Sequence, residues 1–189
     1  MNKTVLSLIT ASILLLISCN QKEIEAPVQS DWKQQLNKEI PLLGHRNWIL
    51  VVDKAFPLQN AEGVITLDTG DELLDVLQYT LNQVGSASHI KPIIYTDQEL
   101  GFITRELVPE IDDYRKSLTG IIGNSNIQVL LHDSVFVKID KASKLFKTLV
   151  LKTNETIPYS SVFIQLDCKY WSPDQESQLR ELMIKKELE

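Results

Sequence analysis

The run Trp48-Ile49-Leu50-Val51-Val52 limits what this chain can fold into more than any other stretch. It is continuously apolar and ends in a β-branched pair. A half-solvated strand alternates; this one does not, so it needs apolar cover on both faces. In a chain of 189 residues that cover comes from helices packed above and below a sheet. The remaining pattern supplies both. "GVITLD" from Gly63, "KPIIYT" from Lys91, "IQVLL" from Ile127 and two strands within "TLVLKTNETIPYSSVFIQLD" from Thr148 read as further strands. Between them lie helices. Ser30 is placed to cap one over Asp31 to Glu39, which Pro41 stops. Thr69-Gly70-Asp71-Glu72 and Thr96-Asp97-Gln98-Glu99 read as capping boxes. The first opens a helix to about Val84, with Leu73, Leu74, Leu77 and Leu81 at helical spacing; the second opens one toward Tyr114 that Pro109 kinks or splits. A helix near Ser134 to Phe146 presents Ile139, Ala142 and Phe146 on one face, and Ser172-Pro173 starts a final charged helix. The alternation predicts an α/β fold: a single three-layer domain with a mostly parallel central sheet flanked by helices.

The first residues belong to targeting rather than folding. "MNKTVLSLITASILLLISC" carries Lys3, then an apolar run, then small residues, as a secretory signal does, and it is too short to span a membrane. Its end, Leu16-Ile17-Ser18-Cys19, resembles a bacterial lipobox, which implies cleavage before Cys19 and acylation of that cysteine. The expected organisation is a signal peptide over 1–18, an acylated Cys19 with a polar tether over 19–30, a folded domain over 31–171 and a helical extension over 172–189. Asn20 after the cysteine favours the outer membrane, facing the periplasm or the exterior. With Cys19 acylated, Cys168 has no partner for an internal disulfide. A formal net charge of −6 argues against nucleic acid as a partner. Zinc-ligand spacing is missing, as are GxGxxG, GxxxxGKS, HExxH and GxSxG. No metal or cofactor is expected.

The candidate chemistry lies around the first strand. His45 precedes it and Asp53 follows it. Sites in open α/β sheets gather beyond the carboxyl ends of parallel strands, where Asp53 and Asp68 fall. His45 falls at the other end. A five-residue strand is about 17 Å long, so a site shared by His45 and Asp53 needs a loop that folds back or a second subunit. Of the other histidines, His89 lies in a polar stretch read as a solvated loop, and His132 ends the fourth strand.

These segments carry a resemblance. "LGHRNWILVVDKAFPL" is similar to the first motif of the ribose pyranase and fucose mutarotase family: Gly-His, a buried strand, an Asp, then a Pro-containing loop. "GDELLDVLQYTL" and "KPIIYT" are similar to its next helix and strand, and "KTNETIPYSSVFIQLDC" to its closing motif. The resemblance implies interconversion of the cyclic forms of a monosaccharide such as ribose or fucose, without metal or cofactor, in a large ring of subunits, a decamer. It implies His45 as proton donor and Asp53, Tyr159 and Ser161 as sugar-binding positions. Two positions depart. Ser161 stands where the family has asparagine, and counting back from Tyr159 to the family's His or Arg lands on Val137, with Lys138 or His132 as substitutes. These changes leave a second reading open: a non-catalytic sugar-binding or transport-accessory lipoprotein on the same fold.

Overall fold

The structure is a computed structural model and describes residues 31–187 apart from 124 and 126. Cys19 and the segments before residue 31 lie outside the described residues. Helix α1 (Trp32–Glu39) leads through a 3-10 turn (Ile40–Leu42) to β1 (Trp48–Val52), β2 (Val64–Asp68) and α2 (Leu73–Ser86). Then come β3 (Ile90–Asp97), a 3-10 turn (Gln98–Phe102), α3 (Ile111–Ile122), β4 (Ile127–Leu130) and α4 (His132–Ser143). β5 (Thr148–Lys152), β6 (Val162–Cys168) and α5 (Pro173–Glu187) complete the chain.

The six strands form one sheet in the order β2-β5-β1-β6-β3-β4. β1 and β2 each pair parallel with β5, and β3 pairs parallel with β4, while β6 runs antiparallel between β1 and β3. The expected mostly parallel, three-layer arrangement holds. β1 shows why its run had to be continuous: all five residues are buried, and they alternate between two cores. Ile49 and Val51 point into the larger core with Trp32 and Leu36 of α1, Leu73 and Leu77 of α2, and Ile111 of α3. Trp48, Leu50 and Val52 point into a smaller core with Val135 and Ile139 of α4 and Phe163 of β6.

Several local expectations shift. Asp31, not Ser30, caps α1, accepting from the Gln34 amide at 3.0 Å. The Thr69 box does not cap α2: the Thr69 hydroxyl donates to the Lys152 carbonyl, and Asp71 accepts from the Trp32 indole. The Thr96 box opens no α-helix; β3 runs on through Asp97, and α3 begins only after Pro109. Ser172 does cap α5, accepting from the Gln175 amide. Along α5, Leu179, Leu182, Met183 and Ile184 stay exposed, so this helix does not bury an apolar face on its own domain. Among the described residues no helix is long and apolar enough to cross a membrane.

Candidate functional site

The sheet order brings three chain segments together at one edge. Because β6 runs antiparallel to its neighbours β1 and β3, it starts where they end, so Ser161 before β6 meets Asp53 after β1 and Asp97 at the end of β3. β4 lies next to β3 and delivers His132 at the first residue of α4. All of these residues lie beyond the carboxyl ends of parallel strands, where open α/β sheets build their sites.

Two hydrogen-bonded pairs define the chemistry. In the first, the Ser161 hydroxyl donates to Asp53 Oδ2 at 2.7 Å, and the Asp53 amide donates to Ser161 Oγ at 3.1 Å. Asp53 Oδ1 accepts from the Ala55 amide at 2.9 Å. Ser161 is therefore spent on holding Asp53 rather than offering a free hydroxyl. In the second pair, His132 Nδ1 lies 2.7 Å from Asp97 Oδ2. The Asp97 side chain has no exposure, and its Oδ1 has no hydrogen-bond partner among the described residues. Burial pushes its carboxyl up to about 6 against the pull of His132, and the charges of Glu99 and Asp53 add to the rise. At 2.7 Å the two side chains are placed to pass a proton between them. Glu99 fixes the histidine from behind, accepting from the His132 amide at 3.1 Å and placing a carboxylate at the positive end of α4.

Aromatic rings wall the imidazole. Tyr159 meets it edge-on at 5.3 Å between centroids and Phe136 lies at 4.6 Å. Tyr159 is 39% exposed and sits at φ +60, a conformation a bulky residue adopts only when its surroundings impose it. One restraint is Tyr114, whose buried hydroxyl donates to the Ser160 carbonyl at 3.0 Å. Burial, then the charge of Glu155, push that hydroxyl above the usual phenol range, so it stays a donor at any ordinary pH.

His45 lies at the other end of β1. Its Nδ1 is 3.0 Å from Asp167 Oδ1, and its Nε2 accepts from Arg46 at 3.2 Å. Within one chain it does not join Asp53, Tyr159 and Ser161. Val137, found by counting, faces outward at 51% exposure, because α4 turns Val135 and Ile139 inward. The imidazole beside Tyr159 is His132. Lys138 instead lies over the Tyr95 ring. His89 is half-buried rather than solvated, bonded through Nε2 to the Leu43 carbonyl. Asp97 was hidden by its place in an apparent capping box; its position at the end of an apolar strand was the available signal. Among the described residues no group of His, Cys, Asp and Glu could hold a metal ion.

Together the sheet and this edge define an α/β protein with a ribose pyranase/fucose mutarotase-like fold. RbsD of Bacillus subtilis, solved in complex with D-ribose, superposes with a TM-score of 0.51 at 19% identity, over 70% of this chain and 91% of that one. The fucose mutarotase of Streptococcus pneumoniae, solved with L-fucose, is 22% identical over 70% of this chain and 91% of that one, with a TM-score of 0.47. FucU of Bifidobacterium longum is 16% identical over 71% and 94%, with a TM-score of 0.46. No family model and no curated protein matches the sequence.

Proposed function

We propose that this chain binds a monosaccharide at the Asp53, Tyr159 and His132 edge and interconverts its cyclic forms by acid–base ring opening. The observation that carries the reading is the Asp97–His132 pair: a buried carboxyl held near 6 beside a half-exposed imidazole. Such a pair can take and return a proton at neutral pH. His132 Nε2 removes the anomeric hydroxyl proton, the carbonyl forms as the ring C–O bond breaks, and the ring oxygen takes a proton from water. Rotation of the freed carbonyl and the reverse steps close the other form, so atoms balance and no cofactor enters. Asp53, held by Ser161 and Ala55, accepts from sugar hydroxyls and sets the orientation of the ring. Tyr159 packs beside it. D-ribose in complex with a solved neighbour of this fold supports the substrate class.

The proposal extends to assembly and place. A role for His45 at Asp53 needs a second copy of the chain, consistent with the homo-oligomer implied by the family resemblance. Leu16 to Cys19 supports lipid anchoring in the cell envelope, outside the cytoplasm, on sequence grounds alone. The test is exchange of saturation between anomeric protons of ribose, fucose, galactose and glucose, with and without protein. Accelerated exchange for at least one sugar supports an enzyme. Exchange equal to the blank, with line broadening that still reports binding, favours the non-catalytic binding reading.

A further inference from the structure

Helix α5 is uncovered along its length. From Pro173 to Lys186 every residue is exposed except Glu176. The exposed side chains include Leu179 at 41%, Leu182 at 63% and Met183 at 46%. A helix of 15 residues is marginal in water unless something packs on it. Local devices add little: the Ser172 cap, and the pair of Arg180 Nε with Glu176 Oε1 at 2.7 Å. The domain does not cover this face, and the segment over 172–189 lies past the part of the chain that resembles the mutarotases.

The residue pattern says what does cover it. Ser172, Glu176, Leu179, Met183 and Lys186 follow one another at alternating steps of four and three, which is the seam spacing of paired helices. Leu182 lies beside that seam and Ile184 on the far side. The seam is acidic toward its start, apolar in the middle and basic at its end. Two copies laid antiparallel put Leu179 opposite Met183, and Glu176 opposite Lys186, each twice over by the two-fold axis. Laid parallel, they set Glu176 against Glu176 and Lys186 against Lys186, which repel. The Trp171 indole and Arg180 both bond Glu176 and hold its carboxyl below the usual range, so it is ionised at neutral pH. Off the seam, the acidic Asp174 and Glu181 balance the basic Arg180 and Lys185.

We propose that α5 is a self-association helix whose partner is α5 of a second copy of this chain, packed antiparallel through Leu179 and Met183 and closed at both ends by Glu176–Lys186 contacts. Acid in the first turn and base in the last also suit the dipole of a lone helix. The dipole, however, does not require Glu176 and Lys186 to share a face with Leu179 and Met183. A membrane surface suits the helix less well, because its polar residues carry as much acid as base. The inference rests neither on the sugar site nor on the ring of subunits implied by the family resemblance.

The test is oxidative cross-linking of the full chain, with Cys168, a free thiol, replaced by alanine in the parent protein. Glu176→Cys and Lys186→Cys are made separately in that parent and oxidised alone and as an equimolar mixture. The expected result is an inter-chain disulfide in the mixture, with each variant alone at the level of the parent. The mixed pair keeps its second Glu176–Lys186 contact, so the charge pairing survives in part. Adding Leu179→Glu and Met183→Glu to both variants should return the mixture to the parent level. Both side chains are exposed, so the domain keeps its fold, as circular dichroism would verify. The proposal is overturned if either variant alone cross-links as well as the mixture, which would mean parallel helices, or if cross-linking persists with Leu179→Glu and Met183→Glu. It is also overturned if the mixture stays at the parent level, and a polarity-sensitive dye on Met183→Cys that shifts to the blue on phospholipid vesicles would then assign the face to a membrane. Anomeric exchange does not depend on α5, so failure here is separable from failure of the proposed activity.

Discussion

Replacing Asp97 by asparagine should make the protein more stable at pH 8 and less active. The carboxyl is raised from its usual 3.8 to about 6, chiefly by burial. The native state therefore keeps this proton up to about pH 6, while the unfolded chain releases it near 3.8. Between those values the native state binds more protons, so stability falls as pH rises, and the deficit persists above pH 6. At about 1.4 kcal/mol per pH unit, the ionised carboxylate costs the fold about 3 kcal/mol. Asparagine keeps the shape and an oxygen for His132 Nδ1 but weakens that bond by about 1 kcal/mol. Its amide replaces an Oδ1 that already lacks a partner among the described residues. The net gain at pH 8 is about 2 kcal/mol, or roughly 4–8 °C in Tm for a domain of this size. Below pH 4 the sign reverses, and the variant is weaker by about 1 kcal/mol. Urea unfolding of both proteins from pH 4 to 8, followed by circular dichroism, gives the difference curve, in which the other carboxylates cancel. A flat difference curve, or a variant less stable at pH 8, would refute the reading of Asp97 as a buried, strained base.

Other outcomes follow from the same geometry. The rate of sugar interconversion should rise with pH through about 6 and then level off, because the protonated Asp97–His132 pair has no free base; a rate constant from pH 5 to 8 counts against the pair. Ser161→Ala should cost about 1.5 kcal/mol of stability, for a lost bond to a charged group, and raise KM more than it lowers kcat. An unchanged KM would show that Asp53 does not depend on Ser161 for its position. Cys19→Ser should abolish palmitate labelling and release the protein from membranes, and labelling that persists argues against acylation at this residue.

The layers were legible in the sequence because burial writes directly into composition. Trp48 to Val52 had to be covered on both sides, and the two cores cover it. The site was legible only in part. Asp53 stood out by following a buried strand, and Tyr159 and Ser161 by the closing motif. Asp97 did not, because Thr-x-x-Glu is the same pattern whether it starts a helix or ends a strand. The structure resolves the ambiguity: Glu99 binds the first amide of α4 rather than a helix of its own. His132 stood only as one of two substitutes for Val137, for a related reason. Counting along the chain assumes a fixed path, whereas α4 packs through Val135 and Ile139 and turns Val137 to solvent. The rule that sites gather at carboxyl ends pointed to Asp53 and Asp68, while the catalytic role went to His45 on the family resemblance alone; His132, which ends the fourth strand, obeys the same rule.

The most direct measurement of the central claim compares anomeric exchange in the wild type, His132→Ala and His45→Ala, under the same sugar panel. The account predicts accelerated exchange in the wild type and its collapse to the blank in His132→Ala. Loss of exchange in His45→Ala with His132→Ala unaffected would contradict it, and would move the proton transfer to the opposite end of the sheet.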